Sequence, residues 1–246
     1  MKIVVAGKGG AGKTTVSGTI ARALAQRGNP VLALDADANP MLGVSLGVGF
    51  EKTDMLNSVR QALDAGDVEH EPTVEGMVEN FGTDAPDGVR LVVASRIDND
   101  SPGCQCCGVS PDQILRELEH EYRIVICDLE AGIGTLSRMT AGNADVVVVV
   151  ANPTAKALEV ARRAVEIADD LAEVVVLANR VRSDGDLQAI TDVLGEDREV
   201  IVIPEDPIIA EADRDGTAPI DLDPESPGVA AIIELADRLA GAPVPA

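Results

Sequence analysis

The sequence predicts a doubly wound, mostly parallel α/β sheet with helices on both faces. Short runs of Val, Ile, Leu and Ala recur without polar alternation, as expected of strands covered on both sides. Amphipathic helical stretches separate them at the spacing of right-handed βαβ crossovers. A glycine-rich turn follows the first run directly, at the carboxyl end of a strand, where open α/β sheets bind their ligands.

In chain order, strands are expected at Ile3–Ala6, Val31–Asp35, Arg90–Ala94, Arg123–Asp128, Asp145–Ala151, Val174–Ala178 and Val200–Pro204. Helices are expected near Thr14–Arg27, Pro111–Glu121, Ala155–Leu171, Leu187–Leu194 and Val229–Ala240. The polar, Gly/Pro-punctuated stretch 51–88 reads as a helical insertion with loops, and 241–246 as a frayed tail. There is no repeat or low-complexity linker, so 1–246 is read as a single domain. A length of 246 residues suits one α/β domain.

Composition narrows the function classes. With 42 acidic residues against 20 Lys and Arg, the net charge is −22. Such a chain repels nucleic acids and anionic membranes unless it carries a basic patch, and none is visible. Aromatics amount to Phe50, Phe81 and Tyr122, too few for a base-stacking platform. No apolar run approaches the roughly 20 residues that span a bilayer. The N-terminus reads as a strand rather than a signal peptide, so a cytoplasmic location is expected, with no nucleic-acid or membrane partner. Four Cys in such a chain point to reduced thiols, metal ligands or redox chemistry rather than structural disulfides.

Gly7-Lys8-Gly9-Gly10-Ala11-Gly12-Lys13-Thr14-Thr15 fits G-x-x-x-x-G-K-[ST] between a strand and a helix. The glycines let backbone N–H groups turn inward around phosphate oxygens. Lys13 can reach the β- and γ-phosphates, the Thr14 hydroxyl can ligate Mg²⁺, and the helix behind points its positive end at the anion. The second strand ends Leu34-Asp35-Ala36-Asp37, two carboxylates on the ligand side of the sheet. A later apolar strand ends Cys127-Asp128 and is followed by Leu129-Glu130-Ala131-Gly132. That pattern reads as a Walker B strand, with Asp128 holding Mg²⁺ and Gly132 supplying a hinge that senses the γ-phosphate. Cys127, inside the strand, reads as a small core residue.

Ser101-Pro102-Gly103-Cys104-Gln105-Cys106-Cys107-Gly108 lies after a strand and before the helix that opens near Pro111. Cys104 and Cys106 form a C-x-C pair, and Cys107 would point elsewhere. In a two-fold dimer two such pairs make a four-thiolate site suited to Zn²⁺ or, with planar distortion, Ni²⁺. A redox pair and small packed residues are the other readings of these cysteines.

The run K-G-G-x-G-K-T, with its extra Lys8, resembles the deviant Walker A motif of the MinD/ParA/nitrogenase-iron-protein class, SIMIBI-like P-loop NTPases. The resemblance implies ATP as substrate, hydrolysed to ADP and phosphate, Mg²⁺ as cofactor, and a homodimer formed on ATP binding. Lys8 would cross the interface to the partner's nucleotide; otherwise it is a solvated cation beside a phosphate. Asp37 would position the attacking water and stand with Thr14 and Asp128 around Mg²⁺, leaving Asp35 either structural or a remote partner of Mg²⁺. Gly9, Gly10, Ala11, Gly12, Lys13, Thr14 and Thr15 would bind the phosphates. Asn179, Arg180, Pro204 and Glu205 resemble the adenine-binding segments, although an Asn after a strand is also an ordinary turn residue. No N-K-x-D guanine motif is present, since Arg180 follows Asn179.

Together with the C-x-C loop and the run Asp128 to Arg138, these motifs resemble the CooC-type ATPases over nearly the whole chain. That resemblance implies a metal-handling ATPase that inserts nickel into carbon monoxide dehydrogenase or a similar client metalloenzyme. The chain departs from the family in its C-x-C-C run and in Gly134 and Thr135 of the second switch. A MinD- or ParA-like positioning switch without a metal role is the alternative.

Overall fold

A computed structural model describes residues 1–56, 74–93, 110–118, 122, 124–195 and 198–241. Its centre is an eight-stranded sheet in the order β3-β4-β2-β5-β1-β6-β7-β8. The strands are β1 (Lys2–Gly7), β2 (Val31–Ala36), β3 (Thr83–Asp84), β4 (Arg90–Val93), β5 (Ile124–Leu129), β6 (Val146–Ala151), β7 (Glu173–Val181) and β8 (Val200–Pro204). All neighbours pair in parallel except β3, which runs antiparallel at the edge.

The helices are α1 (Lys13–Gln26), α2 (Leu42–Ser45), α3 (residues 50–56), α4 (Val74–Phe81), α5 (Pro111–Glu117), α6 (Ala155–Ala168), α7 (Asp184–Leu194), α8 (Pro207–Asp215), α9 (Pro219–Leu222) and α10 (Pro227–Gly241). Single 3₁₀ turns stand at Pro86–Gly88 and Leu136–Arg138.

The unalternating apolar strands have the expected cause. Ile3 and Val5 face a layer with Ile20 and Leu24 of α1 and Val229, Ile232 and Leu235 of α10. Val4 and Ala6 face the opposite layer, with Val78 of α4, Ile114 and Leu115 of α5, and Ala161 and Val165 of α6. Successive side chains point to opposite faces, and both faces are covered, so every position is apolar.

The structure departs from the expected elements in physically legible ways. Strand β3 has only two residues and no periodic signal. α5 stops at Glu117, because Leu118 already has extended backbone, so the helix expected to Glu121 is shorter. α7 opens earlier than Leu187, where Ser183 caps it by accepting from the Asp186 N–H. α8 and α9 were not expected, although Asp206-Pro207 is a cap followed by Pro at the first helical position. β7 runs on past Ala178 to Val181 through a bulge, taking Asn179 and Arg180 into the strand. Of the stretch 51–88, residues 51–56 and Val74–Phe81 are helical and the rest of its described part holds β3 and a 3₁₀ turn.

Candidate functional site

β1 is the central strand, and its carboxyl end opens into the loop Gly7–Gly12. Gly7 passes so close to β6 that a Cβ there would lie 2.4 Å from the Val150 carbonyl oxygen. Gly12 precedes α1 at φ 99°, and a Cβ there would lie 2.3 Å from Asn179 Nδ2. These positions exclude side chains, leaving a backbone cradle. The Ala11 N–H closes the turn onto the Lys8 carbonyl at 3.1 Å. No side chain caps α1 and its first turn holds no acidic residue, so the positive helix end faces the loop. Lys13 is 6% exposed, whereas Lys8 stands at the surface with Nζ 3.3 Å from the Gly9 carbonyl.

Two carboxylates lie side by side beneath this loop. Asp35 of β2 and Asp128 of β5 are register partners, each 1% exposed. Burial pushes the Asp35 carboxyl up to about 7, with the neighbouring Asp128 charge adding to it, while N–H groups of Leu42 (2.7 Å) and Asp37 (3.2 Å) hold it down. Burial also raises Asp128, to about 6, against the Thr14 hydroxyl, the Lys13 charge and the Ser17 hydroxyl. Ser17 Oγ donates to Asp128 at 3.1 Å. Asp37, half-buried, takes the Asn39 N–H at 2.9 Å, and its charge acts on both buried carboxylates. Asp35 thus anchors the start of α2, while Asp37, Thr14 and Asp128 surround the phosphate cradle. Two carboxylates and a hydroxyl, all hard oxygen donors, suit Mg²⁺ in chemistry.

Gly132, at φ 99°, brings the segment after β5 back onto the loop: its N–H donates to the Gly7 carbonyl at 3.0 Å. The segment continues through the 3₁₀ turn Leu136–Arg138 to Thr140. Glu130 and Arg138 are exposed.

Beyond the loop, the ends of β7 and β8 and helix α8 enclose a cleft of about 250 Å³. Asn179, Arg180, Pro204, Glu205, Asp206 and Asp213 line it. This volume falls below the roughly 300–1,000 Å³ that encloses a drug-sized ligand. The cleft is tied to the phosphate loop at two points. Asn179 Nδ2 donates to the Ala11 carbonyl at 2.7 Å, and Thr15 Oγ1 donates to Asp213 at 3.3 Å. Arg180 sits at the bulge with φ 61°, a left-handed backbone uncommon for a side-chain-bearing residue, and faces Asp213 at 3.9 Å.

The structure therefore brings together Lys8 through Thr15 with Asp37 and Asp128, and gathers Asn179, Arg180, Pro204 and Glu205 around one cleft. Sequence reasoning missed Ser17, Asp206 and Asp213. Ser17 had a signal, standing one helical turn after Thr14. Asp206 caps α8 through the Ile208 N–H (2.8 Å) and takes the Gly228 N–H (2.6 Å), and its signal was the Pro that follows. Cys104, Cys106 and Cys107 lie outside the described residues. Among the described residues no cluster of three or more His, Cys, Asp or Glu side chains could hold a metal, and Cys127 is buried in β5.

Residues 2–220 match the CbiA family, described as the CobQ/CobB/MinD/ParA nucleotide binding domain. The chain belongs to this family and is an ATPase of the MinD/ParA type. It is 31% identical over 244 residues to the carbon monoxide dehydrogenase accessory protein CooC of Rhodospirillum rubrum, spanning 91% of each chain. It is also 31% identical over 210 residues to an uncharacterized ATP-binding protein of Methanocaldococcus jannaschii, spanning 80% of this chain and 81% of that one. Among solved structures, the septum site-determining protein MinD of Pyrococcus horikoshii, complexed with Mg-ADP, shares its fold with a TM-score of 0.71 at 27% identity, covering 98% of this chain and 97% of that one.

Proposed function

We propose that this MinD/ParA-type ATPase closes as a homodimer on ATP and handles a metal ion for a client metalloenzyme, with nickel insertion into carbon monoxide dehydrogenase as its specific task. The observation that carries this reading is the likeness to CooC over 91% of both chains, in a chain that also holds the pair Cys104 and Cys106.

In this reading the loop N–H groups from Gly9 to Thr15 and the Lys13 ammonium bind the ATP phosphates. Thr14, Asp128 and Asp37 would hold Mg²⁺, which when bound supplies charge neutralisation on the phosphates. Ser17 fixes the Asp128 carboxylate by hydrogen bond, which restricts its rotation. Asp37, at the mouth of the site, orients the attacking water. Lys8, half-buried with its Nζ against the Gly9 carbonyl at the edge of the loop, would reach its partner's nucleotide in the dimer, where a second cation offsets the charge that develops in phosphoryl transfer. The cleft between β7, β8 and α8 takes the adenine end. With the donor of its amide engaged on Ala11 and its oxygen accepting from the Arg180 N–H at 3.0 Å, Asn179 shapes that cleft as well as bordering it.

Nickel is the cargo. Two Cys104-x-Cys106 pairs, one per subunit, form a thiolate site across the dimer, and the nucleotide state alters its affinity. Equilibrium dialysis of reduced, anaerobic protein against limiting Ni²⁺ or Zn²⁺ tests this. Wild type is expected to bind about one metal per two chains, and the Cys104→Ser/Cys106→Ser double variant to lose it. Equal binding by both proteins overturns the metal role.

A positioning switch without metal has the MinD structures in its favour. Against membrane attachment, the apolar side of α10 already packs into the core through Val229, Ile232, Leu235 and Leu239. No helix among the described residues is long and apolar enough to cross a membrane. ATP-dependent pelleting with anionic liposomes or DNA would favour this second reading.

A further inference from the structure

Asp35 stands near the carboxyl end of β2, and its two oxygens serve two different parts of the chain. Oδ2 accepts from the Leu42 N–H at 2.7 Å, and Oδ1 accepts from the Asp37 N–H at 3.2 Å. Between these two donors runs the loop 38–41. One carboxylate therefore closes that loop from both ends.

The anchors are rigid and the loop is not otherwise held. Asp35 itself belongs to a strand paired on both sides, with β4 and with β5. Leu42 opens α2 and is fully buried in the layer that contains α1. α2 lies so close to α1 that a Cβ on Gly18 would stand 2.8 Å from the Ser45 carbonyl oxygen. Between the anchors, Ala38, Asn39 and Met41 are exposed, and of residues 38–41 Pro40 alone is buried. The Asp37 carboxylate in turn takes the Asn39 N–H at 2.9 Å, so the side chain that faces the phosphate cradle is built on a turn whose origin is Asp35. Bridging two N–H donors takes two acceptor oxygens on one rigid group. An ionised carboxylate is acceptor-only, whereas an amide presents one acceptor and sets its own N–H against the second donor. Both Asp35 oxygens are committed to the backbone, which fits a part in placing the loop rather than in holding the ion.

We propose that Asp35 is a positioning residue for ATP hydrolysis: it staples the loop after β2 at both ends and so sets where the Asp37 carboxylate stands. The proposal rests on the reading above that Asp37 orients the attacking water. Asp35→Asn keeps the size of the side chain and removes one acceptor. Its kcat falls about ten- to a hundredfold, the cost of misplacing a group that acts on the reacting atoms. KM for ATP and the Mg²⁺ concentration for half-maximal activity stay within about twofold of wild type. In an Asp37→Ala background the same substitution costs less than about twofold in kcat, because a residue that acts only through Asp37 has nothing left to position. Hydrogen exchange of the nucleotide-free chain reads the staple without activity. The Asp37 and Leu42 amides exchange about tenfold faster in Asp35→Asn, as loss of a charge-assisted hydrogen bond entails. Unchanged exchange of the α1 amides shows that the variant is folded. Full additivity of the two substitutions overturns the proposal. So does wild-type exchange of the two amides with a Mg²⁺ requirement raised about tenfold, which assigns Asp35 to the ion instead. If Asp37→Ala alone keeps the wild-type kcat, the water-orienting reading fails. Faster exchange of the two amides in Asp35→Asn then still upholds the staple, and unchanged exchange overturns it.

Discussion

The phosphate loop and the cleft beside it are built in opposite ways. The loop is continuous in the chain. Its glycines are required where β6 and Asn179 crowd the backbone, and its chemistry lies in consecutive residues. The cleft is assembled from the end of β7, the end of β8 and one face of α8, and its geometry depends on a bulge that holds Arg180 in left-handed backbone. The first region is fixed by what cannot fit there. The second is fixed by tertiary contacts that could be replaced singly. The loop should therefore govern the chemical step, and the cleft should govern affinity.

Lys13→Gln gives the largest expected effect. It should lower kcat for phosphate release at least about a hundredfold, as loss of one preorganised electrostatic contact does, with the fold retained by circular dichroism. A cleft variant that lowered kcat as much would erase the division between the two regions.

The tie between the regions can be measured by a double-mutant cycle. Gly12→Ala places a methyl against the Asn179 amide at a positive φ, and should cost about 1–3 kcal/mol in urea unfolding. Asn179→Ala leaves the Ala11 carbonyl without its donor and should cost about 1–3 kcal/mol. Because both act on one contact, the double variant should cost clearly less than the sum. Additive costs would show that the loop and cleft are independent.

The buried carboxylates predict a pH dependence of the Mg²⁺- and nucleotide-free protein. Asp35 and Asp128 have folded-state values raised to about 7 and about 6, so the folded chain holds these protons more tightly than the unfolded one. The resulting destabilisation is fully present above about pH 7 and is relieved as pH falls toward the ordinary carboxylate range. Between pH 8 and pH 6 the Asp35 share should be on the order of 1 kcal/mol. The pH 8 to pH 6 gain in unfolding free energy should shrink by that amount in Asp35→Asn; an unchanged gain would place the titration elsewhere.

Arg180→Gly should have the smallest effect. It removes backbone strain and one ion pair with Asp213, so stability should stay within about 1 kcal/mol of wild type. KM for ATP should rise severalfold with kcat unchanged, the mark of a group that binds ground and transition states alike.

The same contrast explains what the sequence made legible. The loop could be read residue by residue because steric necessity writes its glycines into a short motif. Asp35 and Asp128 could be read because a carboxylate ending an apolar strand contradicts the run before it. In the cleft, Asn179, Arg180, Pro204 and Glu205 were read from family likeness. Asp206 and Asp213 were not, because α8 is half polar and its alternation resembles a loop. Ser17 carried only its position one helical turn after Thr14, on a buried helix face.

Native mass spectrometry of the reduced, anaerobic chain with limiting Ni²⁺, with and without Mg–ATPγS, tests the metal-handling dimer most directly. The prediction is a dimer holding two nucleotides and one nickel when ATPγS is present, with nickel occupancy that shifts when it is withdrawn and disappears in Cys104→Ser/Cys106→Ser. A nucleotide-bound dimer that never carries nickel, or nickel bound equally to wild type and variant whatever the nucleotide, would contradict it.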